Sequence, residues 1–173
     1  RYTGAAGMKS VLMAVQAKFK RENDLDYGLD QVLIGVGAKQ LIFTALSVTV
    51  DTDDEVIVPA PYWVSYPDMV LVNGGRPVVV PCVEADGFKL TPQALEAAIT
   101  PRTRWLLLNT PSNPTGAVYS QAELCALAEV LLRHPQVWIM TDEIYEHLCY
   151  DCLKPVSLAS LDPALYARTL TIN

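Results

Sequence analysis

Six short runs that are apolar on both faces constrain this chain more than any other feature. They occupy residues 32–34, 56–58, 77–80, 105–108, 137–140 and 169–172. A strand with one wet face alternates apolar and polar residues, whereas an unbroken apolar run belongs in a sheet covered on both sides. Between the runs lie stretches with helical spacing. Residues 8–21 carry Met8, Leu12, Val15 and Phe19, and residues 39–50 carry Leu41, Ile42, Ala45 and Leu46. Residues 91–99 open with Thr91-Pro92, a cap followed by a first-turn proline. Residues 120–132 open with Ser120 and have Glu123 three residues on, a capping box. A weaker helical pattern covers 62–72. The alternation predicts an α/β fold with three layers: a mostly parallel sheet with helices on both faces.

Composition narrows the function classes. With 173 residues, 51% of them hydrophobic and 18% charged, the chain has material for one domain with a real core. The net charge of −6 argues against tracking a nucleic-acid backbone, which needs a surplus of Lys and Arg. No apolar run approaches membrane-spanning length. The Cys149-x-x-Cys152 pair lacks the second cysteine pair or the several histidines of a zinc site, His134 and His147 being the two in the chain. All four cysteines therefore read as reduced thiols of a cytoplasmic protein, and no metal is expected. The chain begins with Arg1 and stops in mid-pattern at Asn173, so it reads as a piece of a longer protein.

In open parallel sheets, chemistry sits just beyond the carboxyl ends of the strands. Four segments follow strands and are rich in turn formers and polar groups: 35–39, 59–63, 109–116 and 141–145. They are expected to converge on one sheet edge. Gly35-Val36-Gly37-Ala38-Lys39 joins a strand to a helix. Free amides there suit a phosphate, although a tight turn without a ligand accounts for the same residues. Gln40 stands where a dinucleotide fingerprint has its third glycine, and no Walker Gly-Lys-Ser/Thr is present. Trp63 reads either as core filler or as a flat platform for an aromatic ring. Asp142 ends an apolar strand, where a partly desolvated carboxylate needs a cation, a strong donor or a capping role. Tyr145, three residues on, either packs or offers its hydroxyl. Asn113, between Pro111 and Pro114, sits in an unusually stiff loop, which fits an amide that must point one way or a plain rigid turn.

Three runs carry a resemblance: Val-Pro-Ala-Pro-Tyr-Trp-Val-Ser-Tyr-Pro at 58–67, Asn-Thr-Pro-Ser-Asn-Pro-Thr-Gly at 109–116 and Thr-Asp-Glu-Ile-Tyr-Glu-His-Leu at 141–148. Together they resemble the fold-type I, class I aminotransferases, bacterial aspartate aminotransferases above all. The similarity runs in order along the whole chain. It implies pyridoxal 5′-phosphate as cofactor, amino acid and 2-oxo acid substrates with aspartate first among the donors, and a homodimer with shared active sites. Other class I aminotransferases (aromatic, alanine, kynurenine, prephenate), a lyase, or a truncated non-catalytic homologue are the alternatives.

The resemblance also implies roles. Gly37, Ala38 and Lys39 match the phosphate-binding turn. Trp63 matches the residue stacked on the pyridine ring, and with Asn113 it also faces substrate. Asn113 and Tyr145 match the partners of the ring's phenolic oxygen. Asp142 matches the carboxylate paired with the ring nitrogen, and Asp142 and Tyr145 are the candidate catalytic residues. Tyr2 matches a tyrosine that reaches the neighbouring subunit's phosphate. Residues 1–173 are then part of a cofactor-binding large domain, with the small C-terminal domain, the Schiff-base lysine, the carboxylate-gripping arginine and antiparallel strand 7 all outside them. Without that lysine the chain alone is expected to be inactive. Two structural expectations follow from the resemblance: a cis Asn113-Pro114 bond, and an empty slot between the run at 32–34 and the run at 169–172.

Overall fold

The computed structural model describes residues 4–173. Helix α1 (Lys9–Glu22) is followed by α2 (Ala38–Thr49), β1 (Glu55–Ala60), α3 (Ser65–Val72), β2 (Arg76–Pro81), α4 (Pro92–Ala98) and β3 (Thr103–Asn109). Then come α5 (Gln121–Arg133), β4 (Trp138–Asp142), the short α6 (Pro163–Tyr166) and β5 (Thr169–Ile172). The strands form one sheet in the order β2-β1-β3-β4-β5, and every neighbouring pair is parallel.

The three layers follow from the two-residue period of a strand. On one face Ile57, Leu106, Leu108 and Ile139 pack with Leu95 of α4 and with Leu124, Leu127 and Leu131 of α5. On the other, Val56, Val58, Leu107 and Met140 pack with Ile42 and Leu46 of α2 and with Tyr66 and Val70 of α3. Consecutive residues of β1, β3 and β4 thus serve opposite layers, which is why their runs carry no polar alternation. Local signals set the helix starts. Ser120 and Glu123 form the reciprocal capping box of α5, and Thr91 caps α4 ahead of Pro92. The helix expected over 62–72 starts later, at Ser65. Helix α6, capped by Asp162, is too short to show a helical period in sequence.

One expected strand does not form. Residues 32–34 run extended, with Val32 buried beside Phe19 and Tyr27 under α1, and the Ile34 amide donates to Ala6 O at 2.9 Å. They join no ladder, because a cleft of about 390 Å³ separates them from β5. Phe19, Leu41 and Leu170 are among the residues that line it. A strand needs a neighbour to exchange hydrogen bonds with, and apolar character does not supply one. The expected slot between 32–34 and β5 is present as this cleft. Among the described residues no helix is long and apolar enough to cross a membrane.

Candidate active site

Strands β1, β3 and β4 all end at one edge of the sheet, and the N-terminus of α2 arrives at the same edge. Residues from all four elements or the loops that follow them line a cavity of about 300 Å³. The sequence-predicted Gly37, Ala38, Lys39, Trp63, Asn113, Asp142 and Tyr145 all stand on its wall. Tyr2 lies outside the described residues.

Helix α2 opens at Gly37, whose φ of 84° is a conformation that favours glycine. No side chain caps the helix, so its first-turn amides are left for an acceptor from outside. Gln40, in place of a third glycine, accepts from the Val36 amide at 3.1 Å and closes the turn. Gly35 is required by close approach, since a Cβ there would lie 2.4 Å from both Gln40 and Leu41 side-chain atoms. The Lys39 ammonium sits 4.7 Å from the centre of the half-buried Trp63 ring, a cation–π contact that holds it at the cavity.

The loop after β3 contains cis bonds at Thr110-Pro111 and at Asn113-Pro114, and Ala60-Pro61 after β1 is also cis. Asn113 Nδ2 donates to the Tyr145 hydroxyl at 3.5 Å, so an amide and a phenol point at a common region. Tyr145 stands in a run of turns rather than a regular helix, with Glu146 N donating to Glu143 O.

Asp142 is 2% exposed. Its Oδ2 accepts from the Tyr66 hydroxyl at 2.6 Å, while Oδ1 has only a long 3.4 Å contact from the Ile144 amide. Burial pushes its pKa up from the ordinary carboxylate value, and the Tyr66 and Ile144 donors pull the other way. No cationic side chain pairs with it among the described residues. A buried, one-sided carboxylate of this kind can accept from a charged donor in the cavity.

Two contributors were not anticipated. Asn109 ends β3 and brackets the site: its Nδ2 donates to Asp142 O at 2.8 Å and its Oδ1 accepts from the Asn113 amide at 2.7 Å. Its place at a strand end was a usable signal. Tyr66 falls in the run at 58–67 that carries the resemblance, but inside α3 nothing local distinguishes it from core. Elsewhere, Glu22, Glu146 and His147 come within 4.8 Å of one another, but the Lys18 ammonium already pairs with Glu146 and lies 3.9 Å from Glu22.

Comparison with known proteins gives the family. The family profile described as Aminotransferase class I and II matches residues 1–172, and the chain belongs to that family. It is 57% identical over its whole length to an aspartate/prephenate aminotransferase of Cereibacter sphaeroides, of which it covers 43%. The structure is similar to the aspartate aminotransferase of Rhizobium meliloti, with a TM-score of 0.97 and 51% identity over 99% of this chain and 43% of that one. It is also similar to the Thermus thermophilus aspartate aminotransferase with maleate, with a TM-score of 0.93 and 41% identity over 99% of this chain and 44% of that one. The chain thus spans less than half the length of these relatives.

Proposed function

We propose that the full-length protein carrying this chain transfers an amino group from an amino acid, aspartate foremost, to a 2-oxo acid, with pyridoxal 5′-phosphate held in the cavity at the sheet edge. The observation that supports this best is the convergence on one cavity of an uncapped helix N-terminus, an indole, an amide–phenol pair and a buried carboxylate with no cation of its own. Each matches one part of the cofactor. When bound, the cofactor supplies an electron sink through its protonated ring nitrogen. Asp142 is suited to hold the proton at that nitrogen, since pairing with a cation relieves its burial. Asn113 and Tyr145 hold the phenolic oxygen, Trp63 orients the ring plane and screens it from water, and the amides of Gly37, Ala38 and Lys39 bind the phosphate.

Residues 1–173 form part of the cofactor-binding domain in this reading, with the family's lysine and small domain in sequence outside them. A homodimer with shared sites, to which Tyr2 contributes, completes it, and the four free cysteines fit a reducing cytoplasm. Maleate, a dicarboxylate, in the Thermus relative favours an acidic amino donor. Prephenate as acceptor is the second reading, favoured by the name of the 57% identical relative.

The test is amino transfer by the purified full-length protein, from aspartate to simple 2-oxo acids and to prephenate, with and without added pyridoxal phosphate. Cofactor-dependent transfer is expected, and none from the 173-residue chain alone. Failure of the full-length protein to bind pyridoxal phosphate would sink the reading. Turnover by the short chain would show that one of its own lysines does the work assigned to sequence outside it.

A further inference from the structure

Tyr66 belongs to none of the four strand-end loops, yet it touches two walls of the cavity. It sits in the first turn of α3 and is 2% exposed. Its ring meets Trp63 edge to face, with centroids 5.4 Å apart at 85°. Its hydroxyl donates to Asp142 Oδ2 at 2.6 Å. We propose that Tyr66 is a positioning residue for Asp142: a buried phenol that keeps the carboxylate ionised and occupies Oδ2, leaving Oδ1 for a cationic N–H in the cavity. This rests on the cofactor reading above.

The physical argument has three parts. First, a ring nitrogen keeps its proton only beside an ionised acceptor, and burial works against ionisation of Asp142. A hydrogen bond donated to the charged form restores it, and a short O–H···O⁻ bond is among the stronger kinds. Second, the donor is dependable. Burial, followed by the charge of Asp142, pushes the Tyr66 phenol well above its ordinary pKa, so it stays protonated across the working pH range. Third, the bond fixes direction. With Oδ2 held, the two carboxylate oxygens are no longer equivalent, and the weakly engaged Oδ1 is the one available. Tyr145 and Lys39 are the other ionisable groups on the cavity wall, and neither has a hydrogen bond to Asp142.

The experiment uses the full-length protein and Tyr66→Phe, which keeps the ring and its contact with Trp63. In the cofactor-free protein, the Asp142 carboxyl is followed by ¹³C NMR and identified by its loss in Asp142→Asn. Its titration midpoint is expected to rise by about one pH unit in Tyr66→Phe. Replacing Tyr66 with 3-fluorotyrosine, a stronger donor of nearly the same shape, is expected to lower it. In the loaded enzyme, Tyr66→Phe is expected to reduce kcat about tenfold or more with KM little changed. Tyr119→Phe is the control, a second buried phenol whose oxygen accepts from the Leu90 amide at 2.6 Å. It is expected to leave the Asp142 midpoint where it was. If both Tyr66 variants leave that midpoint and kcat unchanged, the proposal is wrong and Tyr66 only packs. If the wild-type protein binds no pyridoxal phosphate, the cofactor reading fails instead, while the cofactor-free titration still decides whether Tyr66 controls Asp142.

Discussion

Two carboxylates are buried at opposite edges of the same sheet, and they are treated in opposite ways. Glu55 begins β1 at the amino edge and is 0% exposed. It accepts from Thr100 Oγ1 at 2.5 Å, from Arg76 at 2.7 Å and from Arg102 at 3.0 and 3.2 Å. The Thr100 hydroxyl and the two guanidinium groups hold its pKa below the ordinary value in spite of burial. Asp142 ends β4 at the carboxyl edge with one neutral phenol and one distant amide, and its pKa is raised. A fold that needs a buried charge for itself surrounds it with cations. Asp142, which has none, fits the proposed pairing with a charged group from outside the chain.

The contrast can be broken most severely by removing the carboxylate itself. Asp142→Ala in the full-length protein is expected to reduce amino transfer by about two to three orders of magnitude, as loss of a group acting on the reaction's charge does. Thermal unfolding of the same variant should change little, and steady-state kinetics with a melting curve checks both. At the other edge the outcome reverses. Glu55→Gln is expected to cost about 1–3 kcal/mol of stability, at the lower end because both arginines are largely in solvent, with kcat unchanged once folded. Denaturant unfolding with activity measured per folded molecule decides it.

A smaller effect sharpens the comparison. Asp142→Asn is expected to stabilise the cofactor-free protein by about 1 kcal/mol at neutral pH, because it removes an uncompensated buried charge. The sign follows from the raised folded-state pKa. The folded form binds more protons between the ordinary Asp value of 3.8 and the raised one, so the penalty grows as pH rises through that window. The advantage of Asp142→Asn should therefore vanish in acid. Glu55, with its lowered pKa, behaves oppositely. Its contribution is complete above the ordinary Glu value of 4.5 and is lost as pH falls through the lower folded-state value.

A separate expected effect is a change in slope at Glu143, next along the chain from Asp142 and 4% exposed. Burial pushes its pKa up to about 7, against donation from the Ser157 hydroxyl at 2.8 Å. Its contribution to stability is full below 4.5 and is lost as pH rises to about 7. Glu143→Gln should flatten the stability–pH curve over that interval and leave its slope above about pH 7 unchanged, offset from the wild-type curve. Urea unfolding at several pH values measures this.

Much of the site was legible because its residues follow strands. Once an apolar run is recognised, the segment after it is expected at a sheet edge, which is where Trp63, Asn113, Asp142 and Tyr145 lie; the roles proposed for them came from the family resemblance. The sequence could not say which neutral hydroxyl stands behind Asp142. Tyr66 is 76 residues away from it, inside a helix, and looks like core. Nor could sequence tell that residues 32–34 form no strand, for their composition matches that of runs that do.

By itself the sequence determined the α/β alternation, the helix caps at Thr91 and Ser120, and the loops that carry polar groups. All of these rest on local patterning and on a two-residue period that reaches opposite layers of the sheet. Only the tertiary structure decided which strands find partners, which carboxylate is given cations and which is left without. Those outcomes depend on neighbours distant in the chain: ladder hydrogen bonds need a second strand, and the energy of a buried charge is set by whatever group is packed against it.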